Sequence, residues 1–147
     1  MIHYLTVQDI LWINGQVTDK VNPFKYAQLE EGTFFQYGYG KSEDVLGQAG
    51  NFLQGFIRLR PFSEGNRATA LVSALTFLVI NGYDVTLEPE KAAEWAMDVA
   101  TKQRTGAEAI KEIAVPGGRP VELKPVLRTE VRVIVARYKD AIDKVGD

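Results

Sequence analysis

The chain has 147 residues, the length of one domain with its own hydrophobic core. Its net charge of −2 argues against binding nucleic acid through bulk charge, and its 46% of hydrophobic residues is typical of a soluble globular protein. It has no cysteine, which excludes disulfides, thiolate metal sites and cysteine nucleophiles, and its one histidine, His3, excludes a metal site with several histidines.

The N-terminal stretch MIHYLTVQDILWING carries acidic and polar residues within its apolar run, unlike a signal peptide. The longest apolar run, ALVSALTFLVI, is too short to cross a bilayer. We therefore expect a cytoplasmic protein with one domain, residues 1–147, that contacts neither a membrane nor nucleic acid.

The first half of the chain predicts two helices separated by a loop. Thr6 and Asp9 resemble a capping box for a helix over 6–18, in which Val7, Ile10, Leu11 and Asn14 follow at helical spacing. The aromatic stretch TFFQYGYG, residues 33–40, lacks a helical period and predicts a loop or short β-hairpin. Ser42 then caps a helix that runs to about Leu59, with Glu43 and Asp44 in its first turn.

The helix predicted over residues 66–80 is apolar nearly all round, so it belongs at the centre of a bundle. Asn81 and Gly82 suit its C-terminal end. Further helices are predicted over 89–102, over 105–114 and, after a connector at 115–125, over 126–145 with a basic face. The fold class is therefore all-α, with about six helices around the buried helix 66–80.

The segment RPFSEGNRATA, residues 60–70, leads into this buried helix and has the chemistry of an anion site. The free N–H groups of a helix N-terminus attract anions, and Gly65 would let a phosphate approach them. Asn66 adds an amide donor, Arg67 a positive charge, and Glu64 a carboxylate able to hold Mg²⁺ against phosphates, while Phe62 anchors the loop. The same pattern also occurs at ordinary helix starts.

The order of these residues resembles the signature of the Fic/Doc family, which reads His, a variable residue, Phe, a variable residue, Asp or Glu, Gly, Asn. Doc toxins continue with Lys-Arg-Thr-Ala, and here Arg67 replaces the Lys while Thr69 and Ala70 match. LTVQDILWING, YGYGKSEDVLGQAGNFLQGFIRLRPF and TALVSALTFLVINGY resemble the family's surrounding helices. Residues from about 115 onward are not covered by the resemblance.

The resemblance, nearest the Doc branch, implies ATP and Mg²⁺ as cofactors. It places Glu64 at the metal position and Gly65, Asn66, Arg67 and Thr69 at the nucleotide or anion positions. It also implies a protein target or an antitoxin as partner, with the 33–40 segment lying roughly where the family has a flap that docks the target by strand addition.

Two positions depart from the family pattern. Arg60 stands where the family has its catalytic histidine, and a guanidinium has no lone pair with which to act as a general base. Losing such a base costs about 10²–10⁴ in rate. Ala68 stands where the family has its phosphate-binding arginine, and Arg67 lies about 100° away around the helix.

Three hypotheses remain open from the sequence. The first is a toxin–antitoxin type Fic/Doc protein with a degenerate loop that binds a nucleotide, another anion or a protein partner without normal transfer. The second is an active transferase that moves phosphate or AMP from ATP to a protein hydroxyl. The third is a helical interaction module without nucleotide chemistry, which would use the basic C-terminal helix.

Overall fold

A computed structural model of the chain describes residues 1–40 and 44–146, and most of them are helical. The prediction of an all-α bundle around a buried helix is confirmed. The α-helices of the described residues are α1 (Val7–Thr18), α2 (Tyr26–Phe34), α3 (Val45–Leu59), α4 (Asn66–Ile80), α5 (Ala92–Ala100), α6 (Gly106–Ile113), α7 (Leu127–Arg137) and α8 (Lys139–Lys144).

Helix α4 is the centre of the bundle, and α1, α3, α5, α7 and α8 all contact it. Leu71, Leu75 and Leu78 are fully buried, as expected for a helix that is apolar on every side. Beyond its last residue, Asn81 donates from its side-chain amide to the Phe77 carbonyl, and Gly82 has a φ of 92°. The predicted bounds and C-terminal signal of α4 are therefore confirmed.

Residues 33–40 do not form the predicted hairpin. They complete α2 and continue as a 3₁₀ helix, Phe35–Gly40. Tertiary contacts explain this difference: the Leu5 N–H donates to Gln36 Oε1 and Gln36 Nε2 donates to the Leu5 carbonyl, both at 2.7 Å, while the rings of Tyr4 and Tyr37 stack. A single-segment pattern contains no information about this pairing with the N-terminal residues.

The start of α3 also differs from the prediction. Asp44, expected inside the first turn, is the N-cap, and its side chain accepts a hydrogen bond from the Gly47 N–H. The predicted cap Ser42 and its neighbour Glu43 lie outside the described residues.

The described strands lie after the buried helix. β1 (Tyr83–Val85) pairs antiparallel with β2 (Ala114–Pro116), with Asp84 opposite Val115. The predicted helix over 89–102 is a 3₁₀ turn, Pro89–Lys91, followed by α5. The capping box of Thr105 and Glu108 at the start of α6 is confirmed.

The predicted helix over 126–145 is divided at Tyr138, which has a φ of −105° between α7 and α8. Its basic face is not simply solvated, because the guanidinium carbons of Arg128 and Arg132 lie 4.8 and 5.8 Å from the ring centre of Trp12 on α1. None of the described helices is long and apolar enough to span a bilayer.

Tyr138 is expected to make the free energy of unfolding fall at alkaline pH. The residue is 1% exposed and donates to the Leu87 carbonyl at 2.7 Å, and burial raises the pKa of its phenol. Above the ordinary phenol pKa of about 10, the unfolded chain loses a proton that the folded chain keeps. The free energy of unfolding, measured by urea denaturation, is therefore expected to fall as the pH rises past about 10.

The matched variant Tyr138→Phe has no phenol to titrate. It should be less stable at pH 7 by about 0.5–1.5 kcal/mol, because the Leu87 carbonyl loses the shorter of its two donors and keeps Arg137 Nη2 at 3.5 Å. It should lose less stability between pH 9 and pH 11. Equal alkaline losses in the two proteins would contradict the assignment to Tyr138.

Candidate functional site

The loop between α3 and α4, residues 60–65, is held in place by an extended segment at 23–25. The Lys25 N–H donates to the Pro61 carbonyl at 2.9 Å, and the Ser63 N–H donates to the Pro23 carbonyl at 3.0 Å. These bonds form an isolated antiparallel bridge between Phe24 and Phe62. The extended chain beside the loop is thus residues 23–25, whereas the sequence placed a flap at 33–40.

Phe62 anchors the loop in the core, as predicted. Its side chain is buried, and its ring centre lies 6.5 Å from that of Phe56 on α3 and 6.1 Å from that of Phe24. The loop therefore cannot shift without removing an aromatic ring from the core.

Asn66 closes the loop from inside. It is 0% exposed, its Oδ1 accepts from the Phe62 N–H at 2.9 Å, and its Nδ2 donates to the Phe62 carbonyl at 2.8 Å. The side-chain amide thus pairs with Phe62 as a neighbouring strand would. The sequence predicted a donor directed at an anion, but in the structure the amide holds the shape of the loop.

A buried polar network connects the loop to α1. Asn14 Nδ2 donates to the Glu64 carbonyl and to Thr69 Oγ1, both at 3.1 Å, and Asn14 Oδ1 accepts from Asn22 Nδ2 at 2.8 Å. Thr69 is 0% exposed, so its hydroxyl faces this network, whereas the sequence predicted a contact with an anion. Sequence reasoning missed Asn14 and Asn22, although a polar Asn14 within the apolar spacing of the first helix was a usable signal.

Gly65 is the N-cap of α4, with a φ of 81°, and is buried. A Cβ at this position would overlap Cγ2 of Thr18 and lie 3.0 Å from Asn14 Nδ2. Glycine is therefore required by the left-handed backbone and by the close approach of α1. Because the N-cap residue is glycine, no N-cap side chain accepts hydrogen bonds from the backbone N–H groups in the first turn of α4.

A cleft of about 460 Å³ lies where the ends of α3 and α5 meet the start of α4 and α6. It brings together Arg60 and Arg67 from the predicted site and adds Arg58, which sequence reasoning missed. The remaining lining residues are Gln54, Ile57, Val99, Ala100, Lys102, Gln103, Arg104, Thr105 and Glu108.

The Arg67 side chain is oriented by the end of α8, because its Nη1 donates to the Val145 carbonyl at 3.0 Å. Carbonyls at a helix C-terminus are favourable partners for a cation. Arg60 is the C-cap of α3 in a left-handed conformation, with a φ of 51°. Both arginines line the cleft, and each lies at the end of a helix with a defined backbone.

The lining of the cleft is strongly basic. Arg104 is paired with Glu112 at 2.6 Å and with Asp98 at 3.7 Å, so its charge is already balanced. Among the residues that line the cleft, Glu108 is the one acid, and its carboxylate accepts from the Thr105 N–H at 2.8 Å, a contact that lowers the pKa of that carboxyl. On a chain of net charge −2, this concentration of cations favours an anionic ligand.

Glu64 lies apart from these cations. It does not line the cleft, and its carboxylate is ion-paired with the Lys20 ammonium just beyond the end of α1. Within residues 1–40 and 44–146, no three His, Asp or Glu side chains are grouped as a metal site. Glu64 is therefore not among the residues that line the cleft with Arg60 and Arg67, and its role as a metal ligand stays a prediction.

The fold and the site define a helical domain with a structured loop at the N-terminus of its central helix. A sequence model of the Fic/DOC family matches residues 4–78, which is 75 of the 147 residues and includes α1, α2, α3, the loop and most of α4. The chain belongs to the Fic/DOC family. No curated protein and no solved structure matches it.

Proposed function

We propose that this chain is a Fic/Doc protein of the toxin–antitoxin type that binds a phosphorylated anion in the cleft and has lost the family's normal transfer reaction. The observation that carries this proposal is the position of Arg60. It stands where the resemblance places the catalytic base, and it lines the same cleft as Arg67. A guanidinium remains protonated at physiological pH, so it can bind a phosphate but cannot accept a proton from a hydroxyl.

Arg67 supports the binding half of the proposal. Ala68, at the position of the family's phosphate-binding arginine, is 2% exposed and offers only a methyl group. Arg67 is adjacent to it in sequence and lines the cleft. A guanidinium can contact phosphate oxygens through two parallel hydrogen bonds.

The size and walls of the cleft are compatible with a nucleotide. Small-molecule sites typically measure about 300–1,000 Å³. Beside the cations, the cleft has an apolar wall of Ile57, Val99 and Ala100 that could receive a base. ATP is the ligand that the resemblance implies, and a protein target or an antitoxin is the macromolecular partner.

Isothermal titration calorimetry with ADP and with inorganic pyrophosphate tests the binding half. Wild type is expected to bind both, and Arg67→Met and Arg58→Met are each expected to weaken binding by about tenfold or more, since each removes a charged hydrogen-bond donor. Arg119→Met is the matched control, because it makes the same charge change on the connector at 115–125, away from the cleft.

The outcomes separate the three hypotheses of function. No binding of either ligand by wild type would reject the proposal and leave the interaction module. Equal loss of affinity in Arg119→Met would show that only net charge matters. Transfer of labelled α- or γ-phosphate to protein by wild type would replace the proposal with an active transferase.

A further inference from the structure

We infer that Lys20 is the permanent counter-ion of Glu64, and that anion binding by this protein needs no divalent cation. This inference rests on the proposed binding function, and it concerns how the negative charge of the ligand is balanced. Mg²⁺ is the cation that the family resemblance implies, so the residues near the loop must first be tested for their ability to hold it.

The residues present do not fit a Mg²⁺ site. Glu64 is the one carboxylate of the loop, and its charge is already balanced by the Lys20 ammonium, with the two side chains 43% and 57% exposed. A bound metal would have to displace that ammonium. An exposed pair of this kind is worth about 0.2–1 kcal/mol, which weakens Mg²⁺ at Glu64 by up to about fivefold.

The second observation is the position of Glu64 relative to the cleft. Mg²⁺ binds through one or two carboxylates and the phosphate oxygens of its ligand together. Arg58, Arg60 and Arg67 line the cleft, but Glu64 does not. The carboxylate that would hold a metal is therefore not among the residues that line the anion cleft.

The third observation is that the backbone of Glu64 is fixed. Its carbonyl accepts from Asn14 Nδ2, the next residue is the buried Gly65, and a side chain at Gly65 would overlap Thr18. The backbone that carries the carboxylate is therefore held against α1, and the carboxylate pairs with Lys20. The cations of the cleft supply the positive charge that a metal would otherwise bring.

The effect of Mg²⁺ on pyrophosphate affinity tests the inference, because the expected change has one direction. Inorganic pyrophosphate is titrated into wild type in EDTA and in excess MgCl₂ at equal ionic strength. Binding is expected to be weaker in MgCl₂ by about threefold or more, because Mg²⁺ lowers the charge of free pyrophosphate and competes with the arginines. Stronger binding in MgCl₂ would overturn the inference while leaving the proposed function intact.

A second measurement needs no anion, so it remains decisive if pyrophosphate does not bind and the proposed function fails. Mn²⁺ is titrated into labelled protein, and paramagnetic broadening of the backbone amide signals of residues 62–66 is followed by NMR. Lys20→Met should show this broadening at Mn²⁺ concentrations that leave wild type sharp. The double variant Lys20→Met/Glu64→Gln should lose it again, and equal broadening in wild type and Lys20→Met would overturn the inference.

Discussion

Arg60→His is expected to raise transfer of labelled phosphate or AMP from ATP to protein by about 10²–10⁴ over wild type, which should show no transfer above background. Histidine places a proton acceptor at the start of the loop, beside the phosphates that Arg67 would hold. The backbone favours this change, because position 60 has a φ of 51° and histidine adopts that region more readily than arginine. Transfer to proteins of a cell extract should also rise with pH through about 6.5, as a histidine base predicts.

Arg60→Asn is the matched control for this experiment. Asparagine also tolerates the left-handed backbone and also removes the guanidinium, but it has no basic nitrogen. An equal gain in Arg60→Asn would show that the charge of Arg60 suppresses the reaction, and that a missing base is not the cause. If Arg60→His still binds nucleotide and transfers nothing, the expectation that a base at position 60 is enough to restore transfer is wrong.

Asn66→Ala is expected to lower the free energy of unfolding by about 2–5 kcal/mol, because the buried N–H and carbonyl of Phe62 both lose their partner. Asn66→Asp should be at least as unstable. Its carboxylate can accept from the Phe62 N–H but cannot donate to the Phe62 carbonyl, and it brings a charge into a position that is 0% exposed.

Urea denaturation measures this loss, and hydrogen exchange locates it. The Phe62 amide should exchange faster in Asn66→Ala through local opening of the loop. Amides in the middle of α4 should exchange only by global unfolding, so their rates should change only by the loss of global stability. Ser63→Ala is the control within the same loop, since the exposed Ser63 side chain should change stability by less than about 0.5 kcal/mol. A stability loss below about 1 kcal/mol in Asn66→Ala, with the Phe62 amide still protected, would contradict the role of the Asn66 amide.

Local chemistry was enough to predict the parts of the fold that neighbouring residues determine. The capping boxes at Thr6 and Thr105 are present, and α4 begins and ends where Gly65 and Asn81–Gly82 predicted. Each of these features depends on residues within a few positions of one another. The hairpin expected at 33–40 was wrong because Gln36 pairs with Leu5, 31 positions away.

For the candidate site, too, some features followed from the local sequence and others depended on distant residues. Phe62 as a core anchor follows from the segment 60–70 alone, whereas the left-handed N-cap at Gly65 was not predicted. The partners of each polar side chain did not follow. Asn66 and Thr69 are predicted as ligand contacts, and in the structure Asn66 bonds to Phe62 while Thr69 accepts from Asn14.

The sequence by itself determined the family and the buried central helix, because these depend on residue type and short-range order. Only the tertiary structure decided which charges share a space. It placed Arg58, Arg60 and Arg67 in the lining of one cleft and paired Glu64 with Lys20. The physical reason is that a charge acts through distance and solvent exposure, which depend on how α1, α3 and α4 pack and not on spacing along the chain.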